Sequence, residues 1–331
     1  MRVFLTSPWI PAEWVRAHGL EPRGIWSAEP FARGAPALTA GVCAVAESVL
    51  RFAETQPDSA VVFTTACDQM RRAFDAAKFH GCTRVFLFNL PATHTAAARR
   101  LYRAELQRLG TFLVEQGGQA PLPENLKHEM RQTDDARRCL RGAAPLAAPR
   151  SFMDSVARFL DTGVFAAPAV AQPGHGVPLA LVGGPWSAAD GDLFQAIETA
   201  GGSVVLNATE VGERSLAPVF DGADQRPSAG LNLHHSPDAF ELLADGCFDG
   251  MVDVFQRPNI RLYDWLRPRL LARQVRGIVL WCHTACDLWR AEMQGLREGF
   301  GLPVLLLESG ETGAISPRDN TRLQAFVEAL E

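Results

Sequence analysis

The stretch Val61-Val62-Phe63-Thr64-Thr65-Ala66-Cys67-Asp68-Gln69-Met70-Arg71-Arg72 decides the fold. Its first part, Ala60 to Thr64, is an apolar β-branched run of strand length. From Cys67 to Phe79, small apolar residues and arginines recur at helical spacing. A second strand-like run, Arg84 to Asn89, follows after Gly81. A strand, a helix and a strand in so short a span pair in parallel, with the helix as crossover. Cys67 falls where the strand ends and the helix begins, a position that favours a thiolate.

Working outward, Arg2 to Leu5 predicts a further strand of the same sheet. From about Ala97 to Leu160 the pattern turns helical and arginine-rich, broken by Pro121, Pro123, Pro145 and Pro149. A second strand series then runs through Pro178 to Val182, Ser203 to Leu206, Gly277 to Leu280 and Pro303 to Leu307. The reading is an α/β chain of two Rossmann-like, flavodoxin-like domains with mainly parallel sheets. They occupy residues 1–115 and 173–331, joined by a helical connector over 116–172. Glycine and proline follow the strands, as in Asn89-Leu90-Pro91 and Gly183-Gly184-Pro185. In open parallel sheets those ends face the ligand crevice.

At 331 residues, with 47% hydrophobic and 21% charged residues, the chain is of ordinary globular composition and long enough for two cores. A formal net charge of −5 disfavours a nucleic-acid surface. The arginine pairs Arg71-Arg72 and Arg99-Arg100 read as composition bias before anion recognition. Neither a signal peptide nor a membrane-length apolar run is seen, so a cytoplasmic protein without a membrane partner is expected. In such a compartment the seven cysteines stay reduced, as buried thiols, reactive thiols or metal ligands.

Cys67-Asp68 has an echo in Cys286-Asp287, which follows the run Gly277-Ile278-Val279-Leu280-Trp281. Cys43, in Ala40-Gly41-Val42-Cys43-Ala44-Val45, opens a helix running to Phe52 and enters the same crevice in this reading. Cys82, Cys139 and Cys247 read as structural. Cys282 and Cys286 form a C-x3-C pair, which lacks the C-x2-C spacing of ferredoxin and zinc-ribbon sites. Ligands on three distant segments imply a site assembled by the tertiary fold.

These segments resemble the 2-hydroxyacyl-CoA dehydratase D-component family, which includes benzoyl-CoA reductase subunits. The likeness lies in Ser7-Pro8-Trp9-Ile10-Pro11-Ala12-Glu13-Trp14 with Ala17-His18-Gly19-Leu20-Glu21-Pro22, in the Cys67 stretch with Asn89-Leu90-Pro91, and in Gly277 to Asp287. It continues through Gly301 to Glu308, Thr321 to Glu328 and the turn from Glu210 to Arg214. By that resemblance Cys43, Cys67 and Cys286 bind a [4Fe-4S] cluster with one iron open to the substrate. Low-potential one-electron chemistry on an acyl-CoA thioester is implied. In dehydratases of the family an ATP-hydrolysing activator with its own cluster injects the electron and the hydroxyl is expelled. In its reductases an aromatic ring is reduced. A homologous second subunit, or a second copy of the chain, is the implied partner.

His283, Thr64 and Thr65 are then candidates for a proton or hydrogen bond at the site. The chain departs from the pattern in three ways. It begins at the family's opening motif, as a short member does, and Phe255-Gln256-Arg257-Pro258-Asn259 holds no cysteine where some relatives carry one. Cys282 adds a thiol, which either replaces Cys286 or joins a larger double-cubane cluster of a small-molecule reductase. Two other readings stay open: a non-catalytic or electron-relay subunit, and a cluster-free protein binding a small anion at Gly183-Gly184-Pro185-Trp186. No G-x-G-x-x-G fingerprint or P-loop is present, so ATP use falls to a partner.

Overall fold

The computed structural model describes residues 1–26, 43–171, 176–186, 188–217, 220, 238–309 and 315–331. Two four-stranded sheets form, both wholly parallel. The first holds β1 (Arg2–Leu5), β2 (Glu21–Gly24), β3 (Ala60–Thr64) and β4 (Val85–Phe88) in the order β2-β1-β3-β4. The second holds β5 (Val177–Gly183), β6 (Gly202–Ala208), β7 (Gly277–His283) and β8 (Val304–Ser309) in the order β6-β5-β7-β8. Each half therefore repeats one topology, with its strand order reversing between the first and third strands. The chain is an α/β protein of two Rossmann-like units.

The central strands explain the pattern. All five residues of β3 and all seven of β7 are buried. A strand covered by helices on both faces reads as a continuous apolar run rather than an alternation. The edge strand β2, in contrast, is not among the strands read from the sequence. It carries Pro22 opposite Val3. Proline lacks a ladder donor and is tolerated at a sheet edge, where one side of the strand needs no partner.

Helices fill the crossovers: α1 (Ala12–Ala17), α2 (Ala44–Thr55), α3 (Asp68–Phe79) and α4 (Ala96–Glu115) in the first half. Next come α5 (Pro123–Ala143) and α6 (Pro149–Thr162), then α7 (Asp192–Thr199), α8 (Ala239–Gly250), α9 (Ile260–Ala272), α10 (Asp287–Phe300) and α11 (Pro317–Glu328). Several have caps readable in the sequence. Thr95 accepts from Ala98 N at 3.1 Å, and Ser316, ahead of Pro317, accepts from Asp319 N at 3.1 Å.

Apolar faces of both sheets share one core. Val3 and Leu5 of β1 join Leu106 and Leu109 of α4, Phe248 of α8, and Leu280 of β7 in a single cluster. Ion pairs reinforce the join between α4 and α8. Arg99 Nη1 donates to Asp249 Oδ2 at 2.9 Å and Arg103 Nε donates to Asp245 Oδ1 at 3.0 Å. Arg99 thus serves as structural glue. Beneath them Glu13 of α1 accepts from Arg137 and from Thr133 of α5, all buried.

Candidate functional site

Three cysteines cap three helices. Cys43 is the N-cap of α2, Cys67 of α3 and Cys286 of α10. The residues before Cys43 that the sequence reading quotes, Ala40-Gly41-Val42, lie outside the described residues. At Cys43 the sulfur accepts from Ala46 N at 3.4 Å, and its own N–H donates to Gln69 Oε1 at 3.0 Å. That second bond ties the starts of α2 and α3 together, since Gln69 lies in the first turn of α3.

Cys286 comes from the other half. Its turn is closed by Cys286 N donating to His283 O at 3.0 Å, with Ala285 held at φ 68°. A left-handed alanine costs about 1–2 kcal/mol, and here that cost lifts Cys286 off the end of β7. The thiol donates to Gly184 O at 3.5 Å. Gly183 must be glycine: its φ is 135°, and a Cβ there would stand 1.8 Å from the Trp281 carbonyl oxygen. So β5 and β7 approach closely where the strand order reverses, and open parallel sheets bind ligands at that place.

The three thiols influence one another electrostatically. Burial pushes the Cys67 thiol up to about 11, with Cys43 and Asp68 adding to the rise and N–H groups of Met70 and Gln69 opposing it. Burial raises Cys286 as well, with Cys282, Cys67 and Cys43 all contributing and Trp289 N–H opposing. A thiol on the second sheet therefore feels two thiols on the first across the crevice. Burial thus keeps these thiols protonated, against the thiolate expected from the place of Cys67 at a strand-to-helix junction, and a bound metal would have to displace those protons.

The donor set suits an iron-sulfur cluster. Three soft sulfur donors arrive from separate helix N-termini, with backbone N–H groups directed at the sulfurs, the kind of contact that tunes a cluster. Among the described residues no three His, Cys, Asp or Glu side chains stand close enough to hold a single metal ion. A cuboidal cluster spreads its ligands more widely than one ion does. Cys282, the alternative ligand, is fully buried in the apolar core of β7, its thiol pushed up to about 12 by burial and by Glu308.

The other candidates are engaged elsewhere. Thr64 is buried at the end of β3. Thr65 donates from Oγ1 to Asn89 Oδ1 at 2.9 Å and accepts from Leu90 N at 3.0 Å, clasping β3 to the end of β4. His283 is wholly buried, with Nε2 3.3 Å from Asp190 Oδ2.

Sequence reasoning quotes Glu210 to Arg214 only as a turn, yet Arg214 is the hub behind the crevice. Fully buried, it donates to Ala208 O at 3.0 Å, Val252 O at 3.0 Å and Gly183 O at 3.1 Å, and pairs with Asp253. It stacks 5.0 Å from the Trp289 ring, while Trp9 Nε1 donates to Asp253 Oδ2 at 3.0 Å. An arginine drawing these segments together across 70 residues leaves no short-range signal.

The fold defines a two-unit parallel α/β protein with cysteines at the N-caps of three helices. The sequence profile of the 2-hydroxyglutaryl-CoA dehydratase D-component family matches residues 9–330. The chain belongs to that family, and is a 2-hydroxyacyl-CoA dehydratase-type subunit with lyase-type chemistry. No curated protein sequence matches it. No helix among the described residues is long and apolar enough to cross a membrane.

Proposed function

We propose that the chain is the iron-sulfur subunit of a 2-hydroxyacyl-CoA dehydratase, with Cys43, Cys67 and Cys286 holding a [4Fe-4S] cluster. The observation that carries this reading is the placing of three cysteines, from both halves of the chain, at helix N-caps, with Cys43 and Cys67 both acting on the Cys286 thiol. Bound there, such a cluster supplies low-potential one-electron transfer and an iron with an open position for the substrate thioester.

The chain's own residues do the rest. Cys43, Cys67 and Cys286 give up their protons on loading, and the N–H groups of Ala46, Met70 and Trp289 temper the charge that results. The buried Arg214 packs between the Trp9 and Trp289 rings and fixes the end of β5 through the Gly183 carbonyl. The Gly184 carbonyl orients Cys286. An ATP-hydrolysing activator supplies the electron, and a homologous subunit or a second copy completes the enzyme, in the cytoplasm.

Strictly anaerobic purification followed by iron, sulfide and electron paramagnetic resonance measurements tests the reading. About four irons per chain are expected, lost in Cys43→Ala, Cys67→Ala and Cys286→Ala and retained in Cys282→Ala. About eight irons would favour the double-cubane reductase, and a reconstituted wild type without iron would end the enzyme reading.

A further inference from the structure

Three polar side chains close around Gly184 at van der Waals range. A methyl group built on its Cα would meet nothing nearer than Trp289 Nε1 at 3.7 Å, Arg214 Nη2 at 3.8 Å and the carboxyl carbon of Glu210 at 3.8 Å. The carbonyl of the same residue accepts the Cys286 thiol. An indole N–H, a guanidinium and a carboxyl group thus converge within one residue's width of a capping thiol.

The three groups differ in what they have left to give. Arg214 spends itself on backbone carbonyls and Asp253. Glu210 accepts from Trp186 N at 2.7 Å through Oε1, and among the described residues no hydrogen bond reaches Oε2. One carboxyl oxygen is held by the backbone and the other takes no part in that bond, while the carboxyl carbon lies 3.8 Å from where a Gly184 Cβ would stand. That is the arrangement of a positioned acid-base group: rigidly hung, with one working oxygen.

We propose that Glu210 is the proton-exchanging catalytic residue of the crevice, an inference that rests on the dehydratase reading above. Loss of water from a 2-hydroxyacyl thioester breaks the bond between carbon 2 and oxygen, and the oxygen must gain a proton. The carboxyl of Glu210 gives that proton, so the group leaves as water. The resulting carboxylate takes the proton released from carbon 3 as the double bond forms, which restores Glu210. No net electron is consumed and every atom is accounted for.

The surroundings suit this cycle. Burial pushes the Glu210 carboxyl up to about 7; the Trp186 N–H and the Arg214 guanidinium oppose the shift, while Asp253 and Asp190 add to it. A group poised near the working pH both donates and accepts without a large energetic step. A surface glutamate would be ionised throughout and able only to accept.

The test compares wild type with Glu210→Gln and Glu210→Asp, each anaerobic, iron-loaded and with any subunit that copurifies. The probe is 2-hydroxyglutaryl-CoA, and titanium(III) citrate is the reductant. Expected are unchanged iron content and resonance spectrum, a rate about 100-fold lower or worse in Glu210→Gln, and partial rescue in Glu210→Asp. A limb of the wild-type pH-rate profile near neutrality should vanish in Glu210→Gln. In infrared difference spectra of the protein alone, a carboxylic C=O band titrating near pH 7 should be missing from that variant. Wild-type rate and pH profile in Glu210→Gln, or no such band in wild type, would overturn the assignment and leave the dehydratase reading intact. An iron-loaded wild type that turns over no 2-hydroxyacyl-CoA would overturn both.

Discussion

The thiol of Cys286 donates to the carbonyl oxygen of Gly184 across 3.5 Å, joining the N-terminus of α10 to the end of β5. The contact exists only because the backbone of Gly183 comes against the Trp281 carbonyl with no side chain between. Gly183→Ala should therefore cost about 3 kcal/mol or more, by steric clash and forced backbone. Gly184→Ala, whose neighbours begin at 3.7 Å, pays only for its backbone conformation and should cost about 1–2 kcal/mol. Urea unfolding of the two variants checks the ordering, and equal costs would contradict it.

Arg214→Met removes the partner of Asp253 and leaves the carbonyls of Gly183, Ala208 and Val252 without a donor. A loss of about 3–5 kcal/mol is expected, mostly from the stranded carboxylate. Adding Asp253→Asn should return part of it, so the double variant will be more stable than the sum of the single changes. Strict additivity in denaturant melts would show the pair to be uncoupled.

Ala285→Gly relieves the left-handed turn before Cys286. Relief of about 1 kcal/mol or more is set against the greater chain entropy of unfolded glycine, so a net gain of roughly 0.5 kcal/mol is expected. A rise in melting temperature at unchanged iron content checks this. A fall would mean that Ala285 packs better than its backbone suffers.

Arg103→Ala breaks the pairing of α4 with Asp245 and Glu241 of α8. The side chain is about 30% exposed. The cost should stay near 1 kcal/mol and shrink further in 1 M salt. A salt-independent loss of several kcal/mol would instead mean that the two helices part.

Asp134 lies wholly buried, and burial pushes its carboxyl up to about 6 despite Arg137 and the Phe220 N–H. In the unfolded chain it titrates near 4. Between about pH 4 and 6 the folded state holds the proton that the unfolded state has lost, so this group's contribution to stability declines as pH rises through that window. Relative to Asp134→Asn, wild type should lose on the order of 2 kcal/mol across it. Parallel stability curves for the two proteins would refute the assignment.

Much of this molecule is legible from short stretches. Buried strands β3 and β7 announce themselves as unbroken apolar runs, and the cysteine that follows each after two intervening residues marks a strand-to-helix junction. Edge strand β2 is missed because Pro22 masks a strand whose outer side needs no hydrogen bonds. Thr64, Thr65 and His283 stand out by position, but the structure spends Thr65 on Asn89 and Leu90 and pairs His283 with Asp190. Glu210 and Arg214 carry no local pattern that sets them apart from surface charges.

By itself the sequence determined the parallel α/β class, the likeness of the two halves and the cysteines at strand ends. Each of these rests on periodicity and chain connectivity, which act over ten or twenty residues. Only the tertiary structure decided that the Cys286 thiol feels those of Cys43 and Cys67, that Arg214 is fully buried against Gly183, Ala208 and Val252, and that Glu210 is hung from the Trp186 N–H. Those facts depend on which side chains are desolvated together. Burial is set by the packing of segments 31 to 244 residues apart, and no local pattern encodes it.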